Sequence, residues 1–495
     1  MTCVAVLSCT GREIRKSTEL RFGFTSEPTT LDPLNRRNTA DGRSILFNVF
    51  EGLVRSDVEG NLQPGIAESW TIEQNGLVYN FTIREGVRFH DGSVLTAADV
   101  KFSLQAAAAS GFHSLDRIER IEAIGESQVR ITLNTPDYDF LPYLTIGIVP
   151  AGNTEREINI IGTGPFFIES YRPQRDIVLR RFDDYWQHFL PEPRKTYLEK
   201  VTIVFFANSD AMMLALRGGS IDGASITGSL AAQLDTSAFD IFHNNSAAVQ
   251  FLALNNAVPP LDDLRVRKAL NYGIDIQGII DTAFFGMGTP SGSPLIPGLS
   301  AYYEAGLSYP HNPDIARSLL AEAGFGANNG ADRRLSLEIT APSNFTMHVD
   351  TAQVVANQLA NIGVDVSIRL VDWATWLNDV YFGRQYMATI ISVDSPNVSP
   401  ISFLNRYHSQ SSRNFIHFSN ADFDMVYSLL INQPDRARRV ELIREAQRII
   451  TENAASVFIQ DIYHFKAFRG GVYGGVLNYP LYVIDFASIY GIKTN

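Results

Sequence analysis

AESWTIEQNGLVYNFTIREGVRFHDGSVLTAADVKFSLQ, residues 67–105, is the stretch whose reading decides the fold. Within it Tyr79, Phe81 and Ile83 alternate with Asn80, Thr82 and Arg84, the period of a strand buried on one face. Asn75-Gly76 stands between Trp70-Thr71-Ile72 and that strand, and both residues tolerate the positive φ of a tight hairpin turn. Val87 and Phe89 continue the alternation until Asp91-Gly92 ends it. Thr96, followed three residues later by Asp99, has the spacing of a capping box and predicts a helix over 97–108. A hairpin, a second turn and a capped helix account for the whole stretch.

Outward from this block the chain alternates short strands and helices. Residues 20–25 read as a first strand, followed by the turn Glu27-Pro28-Thr29-Thr30-Leu31-Asp32-Pro33. Ile45, Leu46, Val49 and Phe50 fall at helical spacing and predict a helix over 38–51, stopped by Gly52. Residues 118–133 read as two strands joined at Gly125-Glu126. Gly162-Thr163-Gly164 is no dinucleotide fingerprint, because Pro165 follows at once and no third glycine opens a helix. A strand over 202–207, a helix over 209–216 and a strand over 250–255 come next, then helices over 265–272 and from Asp275. After Pro313, strands over 335–339, 364–370 and 386–393 alternate with helices over 351–362 and 373–381. That rhythm predicts a mostly parallel sheet. A helix over 436–451 and the run 456–468 lead back toward the first domain.

The ordered phrases AESW and REGVRFHDGSVLTAADVKFS, with NVFEGLV (48–54) and LNNAVPPLDDLRVRKALNYGID (254–275), resemble one family. It is the extracellular solute-binding proteins of family 5, the peptide- and nickel-binding receptors of bacterial ABC importers. The resemblance implies an α/β, two-lobe periplasmic binding protein-like fold of type II, cluster C. Each lobe would hold a mixed sheet, with an extra domain inserted. Residues 20–48, 162–250 and 465–495 would build domain I, 49–161 the inserted domain II, and 251–464 domain III, the second lobe. It also implies capture of a short peptide between the lobes, hinge closure near Gln250 and Phe465, and delivery to ABC transporter permease subunits. A nickel or other metal chelate, or an oligosaccharide, is the alternative ligand in the same fold. A hydrolytic enzyme is the alternative of a different class.

Composition narrows the field. At 495 residues, with 45% hydrophobic and 19% charged side chains, the chain is an ordinary multidomain globular sequence. A net charge of −12 argues against nucleic acid or an anionic membrane surface as partner. The only cysteines are Cys3 and Cys9, so the body holds no disulfide framework and no cysteine-ligated zinc. Residues 4–9, VAVLSC, resemble the tail of a bacterial lipoprotein signal, with residues 1–19 as leader and tether. The expectation is a monomer in the periplasm or at the outer face of the cytoplasmic membrane, anchored through an acylated Cys9. No HExxH, GxSxG, P-loop or EF-hand loop is present. No catalytic residue, cofactor or resident metal is therefore expected.

Ligands of open α/β sheets bind beyond the carboxyl ends of the strands. Asp394 follows the apolar run 386–393, and 395–400 forms the next loop. In the peptide-binding branch of the family the aspartate here pairs with the ligand's α-ammonium group. A cap on its own loop is the other use of such a residue. Where that branch reads Gly-Trp-x-x-Asp, this chain has Ile390-Ile391-Ser392-Val393-Asp394. Aligning Ser399-Pro400 with the nickel branch instead leaves the ligand class open. Ser395 and Asn397 lie in the same loop. Arg406 could clamp a carboxylate, His408 could complete a metal chelate, and Trp373 and Tyr407 could wall an apolar pocket. Trp376, three residues after Trp373, gives that pair the spacing of a packed helix face as well.

Overall fold

The computed structural model describes residues 18–35, 38–112, 115–326, 334–394, 399–479 and 483–492. An 11-stranded mixed sheet runs through them. Its order is Val364–Val371, Leu335–Pro342, Ala388–Asp394, Phe239–Leu254, Ser456–Arg469, Gly223–Ile226, Glu19–Phe24, Lys200–Phe205, Asp176–Arg181 and Phe166–Arg172, with Gly288–Pro290 paired to Ser456–Arg469.

The two central strands decide the architecture. Phe239–Leu254 has 16 residues and Ser456–Arg469 has 14, and they pair antiparallel along their length. Their register slips twice at the crossing: Asn245 faces Tyr463 and the next pair is Val249 with Asp461, and a second shift falls between Gln250 and Phe251. An irregularity of this kind unpairs the ladder locally and sharpens its twist. The buried apolar clusters divide at the same point. Leu20, Phe22, Phe81, Phe166 and Phe468 share one core, and Met212, Leu216 and Phe465 another. Beyond the slip, Phe251, Phe403 and Phe415 belong to a third core, and Leu252, Leu337 and Ile390 to a fourth. Two lobes therefore each hold their own hydrophobic interior, joined through two continuous strands.

The block that opened the sequence folds as its pattern dictates. Ala67–Glu73 pairs antiparallel with Val78–Ile83. The turn between them holds Gln74, Asn75 and Gly76 at φ of 49°, 59° and 86°. With Ile118–Ile124 and Gln128–Leu133 these strands form a separate four-stranded sheet, covered by the helix Ala97–Ala109. Asp99 accepts the Thr96 backbone N–H at 2.7 Å, and its other oxygen accepts the Ala151 N–H at 2.7 Å. The helix start is thereby tied to the chain that leaves this inserted unit. In the second lobe the strands Leu335–Pro342, Val364–Val371 and Ala388–Asp394 run parallel, as the alternating pattern predicts.

Several boundaries differ from the pattern. The helix expected over 38–51 spans Ala40–Leu46. Past it the carbonyls of Asn48 and Val49 accept the N–H groups of Phe166 and Gly164, at 3.1 and 2.9 Å. Gly162 and Gly164 make this approach possible: a Cβ on Gly162 would lie 2.1 Å from the Val49 oxygen. The helix expected over 351–362 starts at Thr346 behind an apolar Phe345, which offers no capping signal. The strand expected over 250–255 is the tail of Phe239–Leu254, whose polar first half hides its period. The helix expected over 373–381 is one α-turn, Trp373–Thr375, followed by a π-helical Trp376–Phe382.

Candidate functional site

The parallel strands of the second lobe end together at Pro342, Val371 and Asp394. Asp394 pairs through its backbone with Ala248, beside the register slip, so this strand end abuts the crossing between the lobes. Ser395, Asn397 and Cys9 lie outside the described residues.

Trp373 and Phe345 stand at the ends of the neighbouring strands. Trp373 is 39% exposed and Phe345 is 37% exposed. The Trp373 ring stacks on Trp376 at 5.0 Å and 4°, and Phe345 meets it edge-on at 5.4 Å. Trp376 is buried and donates its indole N–H to Thr389 at 3.0 Å, and Thr389 donates onward to the Thr340 carbonyl at 2.7 Å. The tryptophan pair thus divides its roles: Trp376 is core, and it holds the Trp373 ring in a fixed orientation.

The other candidates separate. Tyr407 is buried among Phe418 and Phe458, inside the second lobe's core, and Arg406 is buried beside it. His408 is half-buried, its Nε2 3.9 Å from Asp424 and its ring 5.1 Å from Tyr427. It lines a cavity of about 300 Å³ together with Ser402, Arg413 and Tyr427 from the second lobe and Arg117 and Tyr143 from the inserted unit. Arg413 is oriented there by Ser402 at 3.3 Å, and Arg117 is held by Asp137 at 2.5 Å. Among the described residues no group of three or more His, Cys, Asp or Glu side chains is placed to hold a metal ion. No helix among them is long and apolar enough to cross a membrane.

Sequence patterns gave no hint of the contacts between the lobes. Ser399 donates its hydroxyl to Asp139, across 260 positions of chain. The Arg439 guanidinium lies 5.5 Å over the Tyr138 ring. Contacts of such separation leave no periodicity or local spacing to read. A second polar set sits where the strands cross: Gln460 donates to Gln250, and Gln250 to His348 and Thr351. Burial lowers the His348 pKa to about 4, so the ring is neutral at pH 7.

Comparison with known proteins agrees with this geometry. The family model described as "Bacterial extracellular solute-binding proteins, family 5 Middle" matches residues 61–415. Heme-binding protein A of Haemophilus influenzae is 26% identical over 434 residues, 80% of this chain and 78% of that one. The glutathione-binding protein GsiB of Escherichia coli K12 is 27% identical over 452 residues, 86% and 85% of the two chains. Among solved structures, HbpA2 from Haemophilus parasuis superimposes with a TM-score of 0.84 at 22% identity, covering 96% of this chain and 99% of that one. The chain belongs to the bacterial extracellular solute-binding proteins of family 5.

Proposed function

We propose that this protein is the substrate-binding component of an ABC importer, capturing a short peptide between its lobes and handing it unaltered to the membrane permease. The observation that carries this reading is the pair of long strands that cross between two separately packed lobes, with an irregular register at the crossing. Two continuous strands restrict relative motion to a hinge, and hinged lobes close around a ligand. Domain I would comprise 20–48, 162–250 and 465–495, the inserted domain 49–161, and the second lobe 251–464. The hinge lies in the crossing strands.

A peptide is favoured over other solutes by the similarity to a glutathione-binding protein, glutathione being a tripeptide. The Asp394 carboxylate would pair with the ligand's α-ammonium, and Ser395 and Asn397 would hydrogen-bond its backbone. A desolvated pair of this kind is far stronger than an exposed one. Trp373 would offer a preformed apolar wall, and the His408 cavity would take polar ligand atoms at the far side of the interface. We further infer a monomer outside the cytoplasm, held at the membrane through an acylated Cys9, with no chemistry performed on the cargo.

Thermal shifts with dipeptides, glutathione, nickel–histidine, heme and cellobiose test the ligand class, since a ligand that binds only the native state raises its stability. Peptides are expected to raise the melting temperature of the wild type and to have no effect on Asp394→Ala. A shift with heme or cellobiose alone, or equal peptide shifts in both proteins, overturns the assignment.

A further inference from the structure

We propose that Asp139 and Ser399 form a proton-sensitive latch that holds the two lobes shut. The proposal uses the hinge reading above and is independent of which solute the protein binds. Asp139 follows the last strand of the inserted four-stranded sheet, and Ser399 stands just after the strand Ala388–Asp394 of the second lobe. The hydrogen bond between them therefore exists only when the lobes meet. Ser399 is tied to its own lobe as the cap of the helix Pro400–Leu404, where its oxygen accepts the Ser402 N–H at 3.2 Å. Asp139 is anchored by its backbone N–H, which donates to Asp137 at 2.8 Å. Both ends of the latch are thus fixed in position before they touch.

The charged and titratable neighbours come from both lobes. On the inserted side Asp137 is paired with Arg117, and Tyr79 donates its hydroxyl to the Asp137 carbonyl. Tyr143 lies nearby beside Arg117. On the second lobe Arg439 covers Tyr138, while Tyr302, Arg436 and Tyr427 complete the surroundings. Closing the lobes takes the Asp139 carboxyl out of water and leaves it beside the Asp137 carboxylate. Those two effects push its pKa up to about 7, against the pull of Ser399, Arg439 and Arg117. In the open form, facing water, it would titrate near ~3.9.

The sign follows from linkage. The closed form binds the proton more tightly, so closing takes up a proton between these two values. Closure is strengthened as pH falls through that window, and the gain is lost as pH rises back through the closed-form value. Ligand would then be held more firmly in a mildly acidic medium and exchanged more readily in a neutral one.

Small-angle scattering of the unliganded protein at pH 8 and pH 5.5 measures the closed-to-open ratio directly. The wild type is expected to gain about thirtyfold in that ratio at the lower pH. Asp139→Asn, neutral at both values, is expected to be more closed than wild type at pH 8 and to show no pH response. Ser399→Ala loses the donor and the helix cap together and is expected to be more open at both values. Ser399→Thr keeps donor and cap and is expected to match the wild type. A wild-type ratio equal at the two pH values, or an Asp139→Asn protein that keeps the response, overturns the latch.

Discussion

Gln460 donates its side-chain amide to Gln250 at 2.8 Å, with both residues fully buried on the two strands that cross between the lobes. Gln250 passes its own N–H groups to His348 Nδ1 at 3.2 Å and Thr351 at 3.1 Å, on the helix Thr346–Ala360. The chain of bonds ties both crossing strands to the second lobe, so that side of the hinge moves as a unit. Replacing Gln250 with leucine keeps the volume but takes the partner from the Gln460 amide and from His348 Nδ1, while Thr351 keeps its bond to the Met347 carbonyl. An unsatisfied buried group costs about 1–3 kcal/mol, so Gln250→Leu is expected to lose about 2–3 kcal/mol of second-lobe stability. Urea unfolding followed by a second-lobe tryptophan signal checks it, and an unchanged midpoint would remove the chain from the account.

His348 supplies a pH prediction. Desolvation lowers its pKa to about 4, and the Gln250 N–H pointing at Nδ1 assigns the unprotonated nitrogen. A depressed base is neutral in the native state and charged in the unfolded one. Its contribution is therefore complete above the unfolded pKa of ~6.5 and is lost as pH falls toward the folded value. His348→Gln retains an acceptor for Gln250 and is expected to flatten the fall in urea midpoint between pH 6.5 and 4, by about one proton on unfolding. An unaltered slope would show that His348 titrates alike in both states.

The two stacked tryptophans should respond differently to truncation. Trp376→Ala opens a cavity in the second lobe's core and is expected to cost about 3–5 kcal/mol. Trp373→Ala removes a ring already 39% exposed and should change stability by less than about 1 kcal/mol while weakening peptide binding. Paired denaturation and calorimetric titration of both variants separate support from contact. If Trp373→Ala binds peptide as the wild type does, the ring plays no part in recognition.

Gly162 tests how the inserted unit returns to the first lobe. An added Cβ would lie 2.1 Å from the Val49 oxygen, where backbone must move. Overpacking of this kind costs about 1–3 kcal/mol, and Gly162→Ala is expected at the upper end because the obstacle is a carbonyl rather than a side chain. Thermal unfolding measures the loss.

The legible parts of this molecule were those written in local spacing. Tyr79, Phe81 and Ile83 announced a strand, Asn75-Gly76 its turn, and Thr96 with Asp99 the helix that follows. The parallel strands near Leu337 and Ile390 announced themselves through apolar runs and intervening helices. What stayed hidden depends on tertiary partners. The carbonyls of Asn48 and Val49 are claimed by another segment, which shortens a helix that periodicity would extend. Trp373 and Trp376 share one spacing, yet only the fold leaves one exposed and the other buried. Tyr407 looked like a pocket wall and packs against Phe418 and Phe458 instead. Asp139 and Ser399 meet only because two lobes fold separately and then close.

The central claim is that two hinged lobes enclose a small solute and release it unchanged. Native mass spectrometry of the purified protein, repeated after hours of incubation with a peptide library, tests it most directly. The account expects one bound solute per chain, in the mass range of a short peptide, recovered with its mass intact. Conversion of the bound species into products, or a chain that retains no solute from the library, would contradict it.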